Sequence, residues 1–238
     1  TGELEGAETL LRWSHSELGD IYPNEFIPVM EDSGFITEVD MYVWEQTCKY
    51  LNRWVNIGMK SFPVSVNFSR LNFHDPDFVN RLISITDKYD IDRNLLHLEV
   101  TENIFEARLS DLQNTLQKCK DNGFKIELDD FGSGYSGLNV LKEYDFDMMK
   151  IDMKFLTNFA GNKKARSILK NVVTLANDLG MKTLTEGVET DEAYEFLQSI
   201  GCEKMQGFLF GKPMPKEELE KKIKDGSYKL DKNILKKL

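Results

Sequence analysis

Cysteine is scarce and badly placed for a framework. Cys48, Cys119 and Cys202 are odd in number, far apart and without C-x-x-C spacing. That argues against a disulfide scaffold and against structural zinc, and for a reducing cytoplasm. No apolar run approaches the roughly 18 residues a membrane helix needs, and no signal-peptide pattern occurs. Repeats, low-complexity tracts and Pro-rich linkers are missing. Positive charge is short as well: 30 Lys and Arg against 40 Asp and Glu leave a formal charge of -10. Such a balance disfavours a broad nucleic-acid-binding face. It leaves room for a small anionic ligand, because bound divalent metals reverse the local field.

What is present is an ordinary globular composition, 41% hydrophobic and 29% charged over 238 residues. The opening TGELEGAE reads as a turn followed by a strand, so the chain is expected to start inside a fold, with more protein upstream. Short apolar runs recur at 8–13, 62–69, 95–101, 124–130, 147–152, 181–188 and 203–210. Between them, helical spacing of apolar residues predicts helices over 25–33, 38–57, 75–88, 108–122, 162–179, 190–199 and 215–224. Gly58, Gly123, Gly180 and Gly201 stand where helix C-caps are expected. Strand and helix alternating at this pitch imply parallel strands with right-handed crossovers. About seven strands, with no change of composition midway, favour a barrel-like sheet in one domain over 1–225. An eighth strand is expected just before Thr1. The tail from Lys216 reads as a charged helix, and 226–238 as a basic end.

The acidic residues gather where the strands end. Glu8 opens the first run, Glu99 ends LLHLE, Asp129-Asp130 ends FKIELDD, Asp152 ends MMKID, and Glu186 with Glu189 follows TLT. Asn67 ends VSVN, while Lys150 and Gln206 sit within their runs. Buried charges need partners or a metal, and in a parallel barrel the strand ends converge on the face that carries active sites. Carboxylates with one amide, and no His or Cys among them, form a hard oxygen donor set suited to magnesium, manganese or calcium. Adjacent aspartates suit a pair of metals that activate water and stabilise a leaving oxygen, and a lysine beside them neutralises charge on a phosphate.

Two decoys lie in DDFGSGYSG (129–137). Its glycines match G-x-G-x-x-G, but the two preceding aspartates would repel the phosphates such a turn cradles. Its DFG lacks the H-R-D and V-A-I-K segments of a kinase. The glycines are read instead as a mobile loop beside a metal site, with Tyr135 as its anchor or lid.

With these residues in view, the sequence resembles the EAL-domain phosphodiesterases of bacterial cyclic di-GMP signalling. The resemblance runs from Gly6 to about Pro215. It is carried by Glu8-Thr9-Leu10, YPNEFIPVMEDSGFI (22–36), SVNFS (65–69), LEVTE (98–102), LDDFGSGYSGL (128–138), MKID (149–152), TEGVET (185–190) and MQGFLFGKPM (205–214). It implies a modified (β/α)8 TIM barrel whose antiparallel first strand largely precedes Thr1. It also implies hydrolysis of cyclic di-GMP to linear pGpG, with two Mg²⁺ or Mn²⁺ ions.

Position by position, the resemblance makes Glu8, Asn67, Glu99 and Asp129 ligands of one metal. Asp129 would bridge to a second, held also by Asp130 and Glu186. Lys150 would contact the catalytic water, with Glu186 and Asp130 counted among the catalytic groups. Arg12 would bind a substrate phosphate, and Asp152, Glu189 and Gln206 would line the substrate site. Glu102 would anchor the glycine loop 132–137 and link it to a homodimer interface. An upstream sensor or GGDEF-type domain is expected, with a cytoplasmic location and the whole protein open to membrane tethering; DNA binding is not. Departures from the pattern are Thr9 for alanine, Met153 for arginine, Gly137 for serine and a Glu127 in place of a small apolar residue. None removes a ligand. The alternative is a quiet EAL domain that binds the messenger, or a protein partner, without turnover. An enolase-like lyase fits the oxygen donors but not the motifs.

Overall fold

A computed structural model describes residues 3–59, 61–107, 112–132, 137–152 and 161–226. Nine short strands and eight α-helices are assigned within them. The described chain sorts into two compact units interleaved in sequence. One is formed by Gly6–Val100 and the segment up to Ile126, the other by Thr101–Ala107 and the chain from Glu127 onward.

In the first unit, β1 (Ala7–Thr9), β4 (Val64–Asn67) and β5 (Leu96–Thr101) run parallel. Glu8 pairs with Ser65, and Asn67 pairs with Glu99. Side chains alternate along a strand and paired residues share a face, so Glu8, Asn67 and Glu99 lie on one face. A small antiparallel hairpin, β2 (Trp13–His15) with β3 (Gly19–Ile21), follows β1. The expected strand over 8–13 therefore divides in two. The hairpin turn is held by the His15 imidazole, whose Nδ1 accepts from the Glu17 and Leu18 amides.

Helices α1 (Pro23–Asp32), α2 (Ile36–Asn56), α3 (Phe78–Lys88) and α4 (Leu112–Asp121) belong to the same unit. Pro23 starts α1, where its missing N–H costs nothing. The helix expected over 75–88 starts only at Phe78, after a separate 3-10 turn at Arg70–His74. Asp75 explains the break, since its side chain accepts the Asp77 amide and Pro76 cannot donate. Behind the strands Trp44, Phe68, Phe73 and Phe78 form an aromatic core, with the Phe68 and Phe78 rings stacked 5.4 Å apart.

In the second unit β6 (Lys125–Phe131), β7 (Met148–Ile151), β8 (Lys182–Thr185) and β9 (Lys204–Met205) are parallel neighbours. Around them run α5 (Gly137–Glu143), α6 (Lys163–Asp178), α7 (Asp191–Ser199) and α8 (Lys216–Lys224). Asn162 caps α6 through two amides and Thr190 caps α7. The strand expected over 203–210 stops at Met205. Beyond it the backbone folds onto Val188, whose amide donates to Gln206 O and whose carbonyl accepts from the Leu209 amide.

The fold class is α/β, with parallel strands alternating with helices as the sequence implies. Each glycine expected at a helix end, 58, 123, 180 and 201, has positive φ. The one strand before the first helix that joins the main strands, β1, is parallel to β4; no antiparallel strand precedes it among the described residues. Gly134, Tyr135, Met153 and the basic end 227–238 lie outside the described residues. Among those described, no helix is long and apolar enough to cross a membrane.

Candidate active site

The second unit holds the more telling geometry. Leu128 pairs with Met149 and Phe131 with Ile151, so the two residues between, Asp129 and Asp130, face the single residue Lys150. This is a β-bulge, and it bends the end of β6 so that adjacent residues no longer simply alternate in direction. Asp130 takes φ 55, a left-handed conformation that non-glycine residues adopt at a cost. Strain held at the junction of two aspartates is typical of a working site.

Lys150 is 2% exposed, and its ammonium lies 3.2 Å from Asp129 Oδ1 and 2.9 Å from Glu186 Oε1. A buried ammonium loses much of its hydration, and two carboxylates compensate. Glu186 follows β8, where its amide donates to Ile151 O. Gln206 is fastened next to it, donating its amide to Thr185 O and accepting from the Val188 amide. This apposition needs Gly207: a Cβ there would meet Val188 O at 2.2 Å and its N at 2.4 Å. Asp152 is buried and its amide points to Phe131 O, while Glu189, in the segment after β8, is exposed. Glu102 is buried and accepts the Gly132 amide at 3.2 Å. The 3-10 turn that starts at Glu102 also packs Phe105 against Tyr144 and Phe146 just beyond α5.

In the first unit Glu99 is 1% exposed near the end of β5, and its carbonyl accepts the Phe68 amide. Asn67 is exposed while its carbonyl is held by the Trp44 indole N–H at 3.1 Å. Glu8 is half-buried, and Arg12 is exposed with its guanidinium donating to Leu11 O.

The donors fit a hard divalent ion by type, being carboxylate and amide oxygens. Among the described residues no three His, Cys, Asp or Glu side chains converge as a ready-made ligand cluster. Around Lys150 the carboxylates close on the ammonium instead. The thiols offer no alternative chemistry: all three are buried, and burial pushes Cys48 and Cys119 up to about 12.

Support residues were harder to read from sequence. Asp40, Trp44 and Thr47 occupy the inward face of α2, and the only signal was a carboxylate at a core position of an apolar helical stripe. Glu127 is fully buried, two residues before the bulged Asp129.

Oxygen donors on parallel strands, and a buried lysine paired with two carboxylates, mark the candidate site of an α/β protein. An EAL domain model matches residues 1–213, and the chain belongs to the EAL domain family. The cyclic di-GMP phosphodiesterase PA2567 of Pseudomonas aeruginosa is 34% identical over 220 residues, covering 92% of this chain and 37% of that protein. The bifunctional diguanylate cyclase/cyclic di-GMP phosphodiesterase MucR of the same organism is 34% identical over 218 residues, covering 92% and 32%. The solved structure of the PaMucR phosphodiesterase in complex with c-di-GMP superposes with a TM-score of 0.85 at 34% identity, covering 92% of this chain and 88% of that one. The chain thus spans about a third of the curated relatives' length.

Proposed function

We propose that this chain is a metal-dependent phosphodiesterase that hydrolyses cyclic di-GMP to linear pGpG. The observation that carries this reading is the bulge of Asp129 and Asp130 opposite a buried Lys150 paired with Glu186, in a chain of the EAL family. Glu8, Asn67 and Glu99 would supply oxygen donors to a divalent ion, and Asp129, Asp130 and Glu186 would likewise hold one. When bound, Mg²⁺ or Mn²⁺ supplies Lewis-acid polarisation of the phosphate and acidifies water.

The chain's own residues do the rest. A water oxygen forms the new bond to phosphorus as the bond to the ribose 3′-oxygen breaks, leaving a 5′-phosphate and a free 3′-hydroxyl. Lys150 donates a hydrogen bond to the attacking oxygen and offsets charge building on the phosphate. Glu186 and Asp129 keep that ammonium aimed. Arg12 binds a substrate phosphate, and Gln206, Glu189 and Asp152 line the substrate. Glu102 fixes the start of the glycine loop through Gly132. A homodimer through α5, and a sensor or GGDEF-type domain elsewhere in the full-length protein, complete the proposal. A purely receptor role has little to rest on, since every ligand position keeps its donor. Incubation with cyclic di-GMP and Mn²⁺ is expected to yield pGpG on anion-exchange chromatography; tight binding without product would favour the receptor instead.

A further inference from the structure

Glu8 in β1 and Asn67 at the end of β4 stand on strands that a single helix contacts. Asp40, Trp44 and Thr47 follow one another at four and three residues along α2, which places them on one face. Asp40 is 8% exposed, and its Oδ2 accepts the Ser69 amide at 2.8 Å and the Asn72 side-chain amide at 2.6 Å. Ser69 also donates through its hydroxyl to Glu31 on α1. Trp44, fully buried, donates to the Asn67 carbonyl. Thr47 Oγ1 lies 3.2 Å from Thr9 Oγ1 and donates to Val43 O, so the Thr9 hydroxyl is left as donor of that pair. Thr9 is the residue after Glu8, and Ser69 comes two after Asn67.

We propose that this face of α2 is a positioning device for Glu8 and Asn67, with Asp40 and Thr47 as positioning residues acting through Ser69 and Thr9. The inference rests on the reading of Glu8 and Asn67 as metal ligands. Burying a carboxylate is unfavourable unless donors compensate, and here both donors belong to the stretch that leaves Asn67. The backbone of Asn67 is thus gripped at its carbonyl and two residues on, which fixes its side-chain direction. Thr9 adds a bond that the alanine of the family motif could not make, so this tie of β1 to α2 is a property of this chain. Groups that hold ligands in place influence metal affinity strongly although they never touch the metal.

The test compares the wild-type chain with Asp40→Ala, Asp40→Asn and Thr47→Val. Mn²⁺ affinity is read from the free-ion electron paramagnetic resonance signal, folding from circular dichroism, and kcat and KM from cyclic di-GMP turnover. Asp40→Ala is expected to lower Mn²⁺ affinity about tenfold and Thr47→Val by a smaller factor, with KM for cyclic di-GMP held. Asp40→Asn, whose side-chain oxygen still accepts both donors, is expected to bind Mn²⁺ as the wild type does. Folded variants with wild-type Mn²⁺ affinity would overturn the inference while leaving the proposed function standing. Equal losses in Asp40→Asn and Asp40→Ala would overturn it too. If Asp40→Ala fails to fold, Thr47→Val decides. A wild type that binds no Mn²⁺ would remove the metal reading itself.

Discussion

Lys150 lies inside an apolar strand, where an ammonium is stable only with partners. Its position in MMKID marked it as a candidate site residue, but not the pairing with Asp129 and Glu186, which depends on how β7 and β8 register. The bulge was invisible for the same reason. Two adjacent aspartates at a strand end look alike in sequence whether they alternate or face one lysine. The arrangement makes Asp129→Asn an informative variant. It removes one charge from a carboxylate proposed as a metal ligand that also faces Lys150, and kcat is expected to fall about 10²-fold or more with the fold intact, as circular dichroism would show. Lys150→Ala should cost stability as well as rate. Removing one partner leaves buried carboxylates uncompensated, a loss of about 3 kcal/mol read as a lower Tm. Added Mn²⁺ should recover part of that Tm if the carboxylates are ligands.

At the scale of elements, most helices were legible because apolar residues recur at the helical period and glycines mark their ends. The errors came where local chemistry overrode the period. Asp75 and Pro76 delayed the helix expected from 75 until Phe78, and Gly207 turned the last apolar run from a strand into a clamp on Val188. Helix α5 escaped because seven residues beside a glycine loop carry too little pattern. Gly207→Ala is expected to push the 185–189 segment away from Gln206. Overpacking of this kind costs about 1–3 kcal/mol, and kcat should fall because Glu186 moves with it; unchanged Tm and kcat would show that the clamp has slack.

Asp40 on α2 gives a pH prediction of definite sign. Burial raises its carboxyl from 3.8 to about 7, reinforced by Glu31 and opposed by the Ser69 amide and the Asn72 side chain. A carboxyl with a higher pKa folded than unfolded contributes most to stability when protonated in both states, below about 3.8. That contribution is lost as pH rises through about 7. Asp40→Asn stays neutral, so its Tm relative to the wild type should improve steadily between those values. A Tm difference that does not change with pH would contradict the assignment.

For the whole molecule, the order of motifs along the chain spoke more clearly than any one of them. The family match over residues 1–213 and the TM-score of 0.85 to a c-di-GMP complex agree with that order. The division of the described chain into two interleaved units was not legible, because composition does not change where they exchange segments. Chelation offers a test at this scale: EDTA should abolish turnover, and Mg²⁺ or Mn²⁺ should restore it.

The proposed hydrolysis and the role of Lys150 are best examined by following pGpG release from cyclic di-GMP and Mn²⁺ by the wild-type chain and Lys150→Ala side by side. The expected result is pGpG as the product and a rate at least about 10²-fold lower in the variant. No product from the wild type at any metal concentration, or equal rates from the two proteins, would contradict it.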